Sequence, residues 1–273
     1  GVTGCRIIDS PRERLIAIIT NNFVPCNGRF PTLIAIITMF FVGSVTAPFD
    51  SILSALLLTC VILFGIFMTF FTSKILSKTI LKGIPSSFAL ELPPYRRPQV
   101  LKVIVRSIFD RTLFVLGRAI VVAAPAGIVI WLFANIHIGD VSVLSHCTNF
   151  LDPFAKLLGL DGVILMAFIL GLPANEIVVP IIIMSYLATG NIIEMDNLLE
   201  LKNLLVDNGW TWLTAICTML FSLMHWPCST TCMTIKKETG SWKWTAVSFL
   251  VPTVFGIITC FIVTSAARLF GIA

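Results

Sequence analysis

Three places in this chain set a proline, a small residue and a short polar residue in line between apolar segments. They are Val24-Pro25-Cys26-Asn27, Leu172-Pro173-Ala174-Asn175 and Trp226-Pro227-Cys228-Ser229. Around them stand the side chains that could do chemistry: the thiols of Cys26 and Cys228, the imidazole of His225, the amide of Asn175 and the carboxylate of Glu176. An ionisable residue in a membrane-grade segment is costly unless it lines a cavity or has a partner, so Glu176 points to function. Interrupted helices repeated at corresponding places are the sequence signature of a transporter site near the bilayer midplane. The short polar residue after each proline is expected to cap a restarting half-helix, with Asn175 as cap and Glu176 as the first residue, its charge sustained by the positive helix end. Carboxylate and freed carbonyl oxygens, thiolates and an imidazole make a mixed ligand set. Such a set suits a divalent transition metal over sodium, potassium or magnesium, without choosing between iron, zinc, copper and manganese.

The elements that must position these groups are membrane elements. With 273 residues, 57% of them hydrophobic, 12% charged, and a mean hydropathy of +0.96, the chain is far more apolar than a soluble domain. Its long apolar runs lack the alternation of outer-membrane strands, so the expected fold is all-α, a polytopic transmembrane helical bundle with broken or re-entrant helices. The net charge of +5 is modest and serves orientation, not nucleic-acid binding. Of the eight cysteines, Cys60, Cys217 and Cys260 lie within apolar runs and read as small buried hydrophobes. The chain starts at Gly1 and carries no signal segment, which suggests a fragment.

Along the chain, Ser10-Pro11-Arg12-Glu13 forms a capping box, predicting a short helix that stops near Asn21-Asn22. A hairpin is expected at residues 47–50 and a span over 51–76. Residues 74–118 hold nine Lys and Arg against Glu91 and Asp110, marking a cytoplasmic face. Within them, Gln99, Lys102, Arg106 and Asp110 recur at helical spacing, as in a helix on the membrane surface that could also dock a cytoplasmic domain. The span over 112–136 has Pro125 at its middle. The stretch from Asn135 to Asp152 lacks Lys and Arg but holds His137, Asp140, His146 and Asp152, which fits an outer face able to gather cations. With both flanking loops on the outer face, residues 163–186 are expected to enter and return, with Pro173 placed for the reversal, or to pair with another partial span. Further spans are expected over 210–224, with Trp210 and Trp212 as interfacial anchors, and over 244–267. Phosphate-loop, His-Glu-x-x-His and Gly-x-Ser-x-Gly motifs do not occur, so catalysis is not expected.

Several blocks together resemble the membrane domain of ferrous iron transport protein B, FeoB, over nearly the whole chain. They are Gly4-Cys5-Arg6, the run from Asp9 to Leu15, Pro25-Cys26, Glu91-Leu92-Pro93-Pro94-Tyr95, the run from Gly171 to Glu176, and the run from Lys237 to Trp244. The resemblance implies an inner-membrane importer of Fe2+ with two gate-type repeats similar to those of nucleoside-transporter-like proteins. It implies one permease domain over 1–273, with a FeoB C-type segment at 1–80 and gate-like segments at 91–190 and 205–270. Cys5, Cys26 and Cys228 match positions proposed as metal-handling cysteines, and Asn175 and Glu176 fall in the second gate. The ligand set expected is therefore Cys5, Cys26, Asn175, Glu176, His225 and Cys228. The implied partners are the lipid bilayer, a cytoplasmic GTP-binding domain absent from this sequence, and a small accessory protein of the FeoA type. GTP would act only through that domain; no bound cofactor and no nucleic acid are expected, and a homo-oligomer is left open. Two other functions fit the residues: a carrier of an organic solute such as a nucleoside, and a non-transporting scaffold that recruits a GTP-binding partner.

Overall fold

The computed structural model describes residues 1–43, 49–83, 99–139, 141–192, 195 and 197–271. A 3-10 helix, Val2–Ile7, leads into α1 (Pro11–Thr20), where Pro11 takes the first helical position and the Ser10 side chain accepts the Glu13 amide at 3.5 Å. A 3-10 turn over Asn21–Phe23 ends that unit as the sequence predicts. Next come α2 (Phe30–Ile37), continued by a π-helical turn over Thr38–Val42, and the long α3 (Phe49–Lys78). The helix α4 (Val100–Ser107) passes through a π-helical turn, Ile108–Leu113, into α5 (Phe114–Asn135), which holds Pro125. The start of the expected hairpin near residue 47, the Glu91–Tyr95 motif and Asp140 lie outside the described residues.

A two-residue antiparallel pair, β1 (His137–Ile138) with β2 (Val141–Ser142), precedes the second half of the chain. There follow α6 (Val143–Leu157), α7 (Gly162–Leu170), a 3-10 turn over Asn175–Ile177 and α8 (Val178–Leu187). Then come α9 (Leu198–Asp207), α10 (Trp212–Met224), α11 (Ser229–Thr239) and α12 (Trp242–Leu269). The fold is all-α. Among the described residues α3 and α12 are long and apolar enough to cross a membrane by themselves, and two bent pairs bring the number of spans up to four.

Those bent pairs are built alike. Helix α6 meets α7 at 110°, and α9 meets the α10–α11 stretch at 108°. In the first, Gly159 stands at φ +70, its amide donates to Lys156 O, and the Leu160 amide reaches back to Ala155 O at 3.0 Å. In the second, Gly209 stands at φ +89, donates to Val206 O, and the Trp210 amide reaches Leu205 O at 3.0 Å. Both are Schellman ends, where a left-handed residue without Cβ lets the chain fold back onto the last free carbonyls. Each is followed by a side-chain cap that starts the next helix: Asp161 accepts the Ile164 amide and Thr211 the Thr214 amide. Helix, glycine bend, capped half-helix, proline break, half-helix: the chain runs this series twice, ending in α8 and α11.

The core lies between the half-helices. Phe168 of α7 meets Phe221 of α10 edge-on at 5.0 Å, and Trp226 stacks on Phe249 of α12. Trp210 does not serve as an interfacial anchor, because it is buried, stacked on Phe40, and donates its Nε1–H to Tyr186 at 2.8 Å. Cys217 and Cys260 are buried as expected, whereas Cys60 is exposed on α3. At Gly65 the middle of α3 approaches the first proline break so closely that a Cβ there would lie 2.4 Å from the Phe23 carbonyl oxygen.

Candidate functional site

The proline breaks meet. From the first break, Arg29 extends into the third: Nη1 donates to Leu223 O at 2.9 Å, and Nη2 to the carbonyls of His225 and Trp226 at 3.3 Å each. The same guanidinium holds its own segment through Asn22 O at 2.8 Å and Asn22 Oδ1 at 3.3 Å, and the Asn22 amide donates to His225 O. The second break joins the third where the Ser229 amide and hydroxyl both donate to Leu172 O, at 2.8 and 3.1 Å. It joins the first at Asn175, whose amide lies 3.8 Å from the Cys26 sulfur and 3.3 Å from His225 Nε2. Glu176 completes the contact, since a Cβ on Gly28 would lie 2.9 Å from its Cγ and 3.0 Å from Oε1.

Each link supplies a partner that the local backbone lacks. A helix interrupted at proline leaves carbonyls at one end and amides at the next, and in lipid these groups must find protein partners. The expected remedy, a side-chain cap from Asn27, Asn175 or Ser229, is not used. The caps of α2, α8 and α11 are Arg29, Ile177 and Cys228, and none makes a side-chain capping bond. Asn175 instead turns its amide toward Cys26 and His225, and Ser229 turns to Leu172. Long-range links replace local caps because the three breaks lie against one another.

The structure links Cys26 to His225 through Asn175 and sets Glu176 against Gly28, two residues beyond Cys26. Asn175 and His225 are buried, the imidazole packing among Phe168, Phe221 and Trp226, while Cys26 and Glu176 are exposed at the open side. Cys228 is the first residue of the α11 cap, with its sulfur 3.1 and 3.2 Å from the hydroxyls of Thr230 and Thr231. Cys5 stands apart, packed with Val2, Ile18 and Ile235, and burial pushes its thiol pKa up. Next to it Arg6 forms a bidentate pair with Glu238, 2.6 Å at each contact. No three His, Cys, Asp or Glu side chains converge closely enough to cage a metal among the described residues. The outer-face residues do not gather either: His137 and His146 contact backbone carbonyls, and Asp152 is held by Lys156 and the Gly162 amide.

Sequence reasoning missed Arg29. It is the largest of the fully buried side chains, at 2% exposure. The available signal was isolation: no other Lys or Arg occurs between Arg14 and Lys74.

Residues 116–242 match the family model described as "Gate: Nucleoside recognition", and residues 58–111 match "Ferrous iron transport protein B C terminus". An Fe(2+) transporter FeoB of Staphylococcus aureus (strain MSSA476) is 29% identical over 280 residues, which cover 98% of this chain and 39% of the relative. The chain is similar to the C-terminal membrane region of FeoB-type transporters. The FeoB of Leptospira interrogans (strain Fiocruz L1-130) is 26% identical over 300 residues, covering 99% of the chain and 41% of the relative. That of Leptospira biflexa is 24% identical over 286 residues, with the same coverage. The chain thus spans about two-fifths of the length of these relatives. No solved structure matches it. The Gate match takes in the second and third breaks, whereas the first break, with Cys26 and Arg29, lies outside both matched regions.

Proposed function

We propose that this domain is the permease of a ferrous iron importer in the bacterial plasma (inner) membrane, and that Fe2+ passes at the junction of the proline breaks. The observation that carries the reading is the link from Cys26 through Asn175 to His225, with Glu176 set against Gly28, where half-helices α7 and α10 end. The negative end of a half-helix attracts cations, and a broken membrane helix puts that end inside the bilayer. Thiol and imidazole donors beside a carboxylate select a borderline metal over sodium or magnesium. An ion must be held firmly enough to enter and loosely enough to leave, so a site of few ligands on separate moving segments serves passage better than a closed cage. Cys228, one residue beyond Pro227, is the next thiol on the way, and Cys5 lies on the flank of α11 for a later step.

The reading extends to the partners: a GTP-binding domain and a small accessory protein of the FeoA type on the basic face, with no reaction catalysed by the permease itself. Uptake of Fe2+ into proteoliposomes tests the core of it. Cys26→Ser, Glu176→Gln and Cys228→Ser are each expected to lower uptake at least tenfold, and parental uptake in all three would sink it.

A second reading is favoured by one feature. Between α6, α7 and α8 lies a cavity of about 380 Å³ lined by His137, Ser142, Ser145, Thr148, Asn149 and Ser185. Neutral hydroxyls, an amide and an imidazole suit an uncharged polar solute such as a nucleoside. Nucleoside competition for transport, with Fe2+ having no effect, would establish it over the first.

A further inference from the structure

Two half-helices, α7 and α10, end at the junction with their carbonyl poles, and the chain treats the two differently. The α7 end is served by neutral groups, the amide and hydroxyl of Ser229 on Leu172 O. The α10 end is served by a full positive charge, with Arg29 donating to Leu223 O, His225 O and Trp226 O. The described contacts of Arg29 include no carboxylate, and the ionisable groups acting on it are the thiols of Cys26 and Cys228. Its Nε is buried with no hydrogen-bond partner. A buried charge without a counter-ion is expensive, and carbonyl capping alone would be met more cheaply by a neutral amide such as glutamine. The charge therefore calls for a role beyond capping.

We propose that Arg29 is a tethered resident cation that fills the α10 end and sets the valence discrimination of the junction, leaving the α7 end, beside Cys26 and Asn175, as the place for the passing ion. This rests on the permease reading above. Repulsion from a fixed charge scales with the charge of the approaching ion, so Arg29 opposes a divalent ion at the junction twice as strongly as a monovalent one. A single Fe2+ then occupies the α7 end at a time, and the α10 end stays closed to metal until the first break carries Arg29 away from its carbonyls. The residue acts through its charge on the site and is not itself a ligand.

The test separates charge from shape in the purified chain. Arg29→Gln keeps hydrogen bonding and removes charge; Arg29→Lys keeps charge and loses the fork. In equilibrium binding, Arg29→Gln is expected to bind Co2+ at least tenfold more tightly than the parent, and Arg29→Lys to stay within threefold. In proteoliposomes, Arg29→Gln is expected to raise the ratio of Fe2+ to Rb+ flux at least tenfold, with Arg29→Lys keeping the parental ratio. A purely structural Arg29 would move both ions and both variants together, and that result, or unchanged Co2+ affinity in Arg29→Gln, overturns the proposal. Tighter Co2+ binding in Arg29→Gln, with no Fe2+ flux through the parent, upholds the resident cation and rejects the transport reading.

Discussion

The chain turns sharply in two ways, and the contrast separates scaffold from site. At Gly159 and Gly209 the turn satisfies itself, with every returning hydrogen bond made within six residues and the next helix started by its own Asp161 or Thr211. At Pro25, Pro173 and Pro227 the turn leaves groups for others to satisfy, and the partners come from far along the sequence, as with Arg29 and Leu223 or Ser229 and Leu172. A self-contained bend is rigid and indifferent to its neighbours. An interdependent break holds only while its partners stay, so a shift in one break alters the hydrogen bonding of the other two. Alternating access in transporters with broken helices needs that kind of coupling.

Five substitutions would break or sharpen this contrast. The largest effect is expected from Arg29→Ala, which strips partners from Leu223 O, His225 O, Trp226 O and Asn22 O together. Each buried group left unpaired costs about 1–3 kcal/mol, so the loss should reach at least ~3 kcal/mol, read as a lowered unfolding midpoint in detergent. Gly159→Ala should cost about 2–4 kcal/mol in the same assay, because φ is +70 and the new Cβ would meet Thr264 Oγ1 at 2.5 Å and Cys217 Sγ at 2.8 Å. Gly209→Ala has the same kind of backbone conformation but open space around it, and should cost only ~1 kcal/mol. Equal costs at the two glycines would show that these bends are not packed as differently as described. Asn175→Leu removes the link between Cys26 and His225 while filling the same volume. It should lower Fe2+ uptake at least tenfold while lowering stability by no more than ~2 kcal/mol; a collapse of stability instead would make Asn175 scaffold. Glu238→Gln, at an ion pair far from the breaks whose Arg6 side faces solvent, should cost no more than about 1 kcal/mol.

Much of the fold was legible because its signals are local. Ser10, Pro11 and Glu13 fix the start of α1, and the apolar runs fix α3 and α12. The prolines fix the interruptions, although the matching bends at Gly159 and Gly209 needed the structure to be seen as a pair. The site was legible in its list and obscure in its wiring. Cys26, Asn175 and His225 stood out by type and by place beside a proline. Their contacts cross 149 and 50 residues of chain, which no local pattern encodes. The expectation that Asn27, Asn175 and Ser229 would cap their own helices failed for the same reason: capping preference describes a helix end facing water, and here each end faces another break. Glu176 was flagged as an ion in an apolar run. Arg29 satisfies the same rule and was passed over because it sits among loop-forming residues, which usually put a cation at the surface.

The contact at Gly65 ties the junction to the bilayer itself. A helix of 30 residues is about 45 Å long, well beyond the ~30 Å hydrocarbon core, so α3 has the length to tilt, and a thinner bilayer favours more of that tilt. Because the Phe23 carbonyl rests against Gly65 with no room for a methyl group, that tilt is passed to the segment that carries Asn22, Cys26 and Arg29. On the permease reading proposed above, acyl-chain length becomes an input to permeation, and the same protein in thin and thick vesicles should carry its ion at different rates.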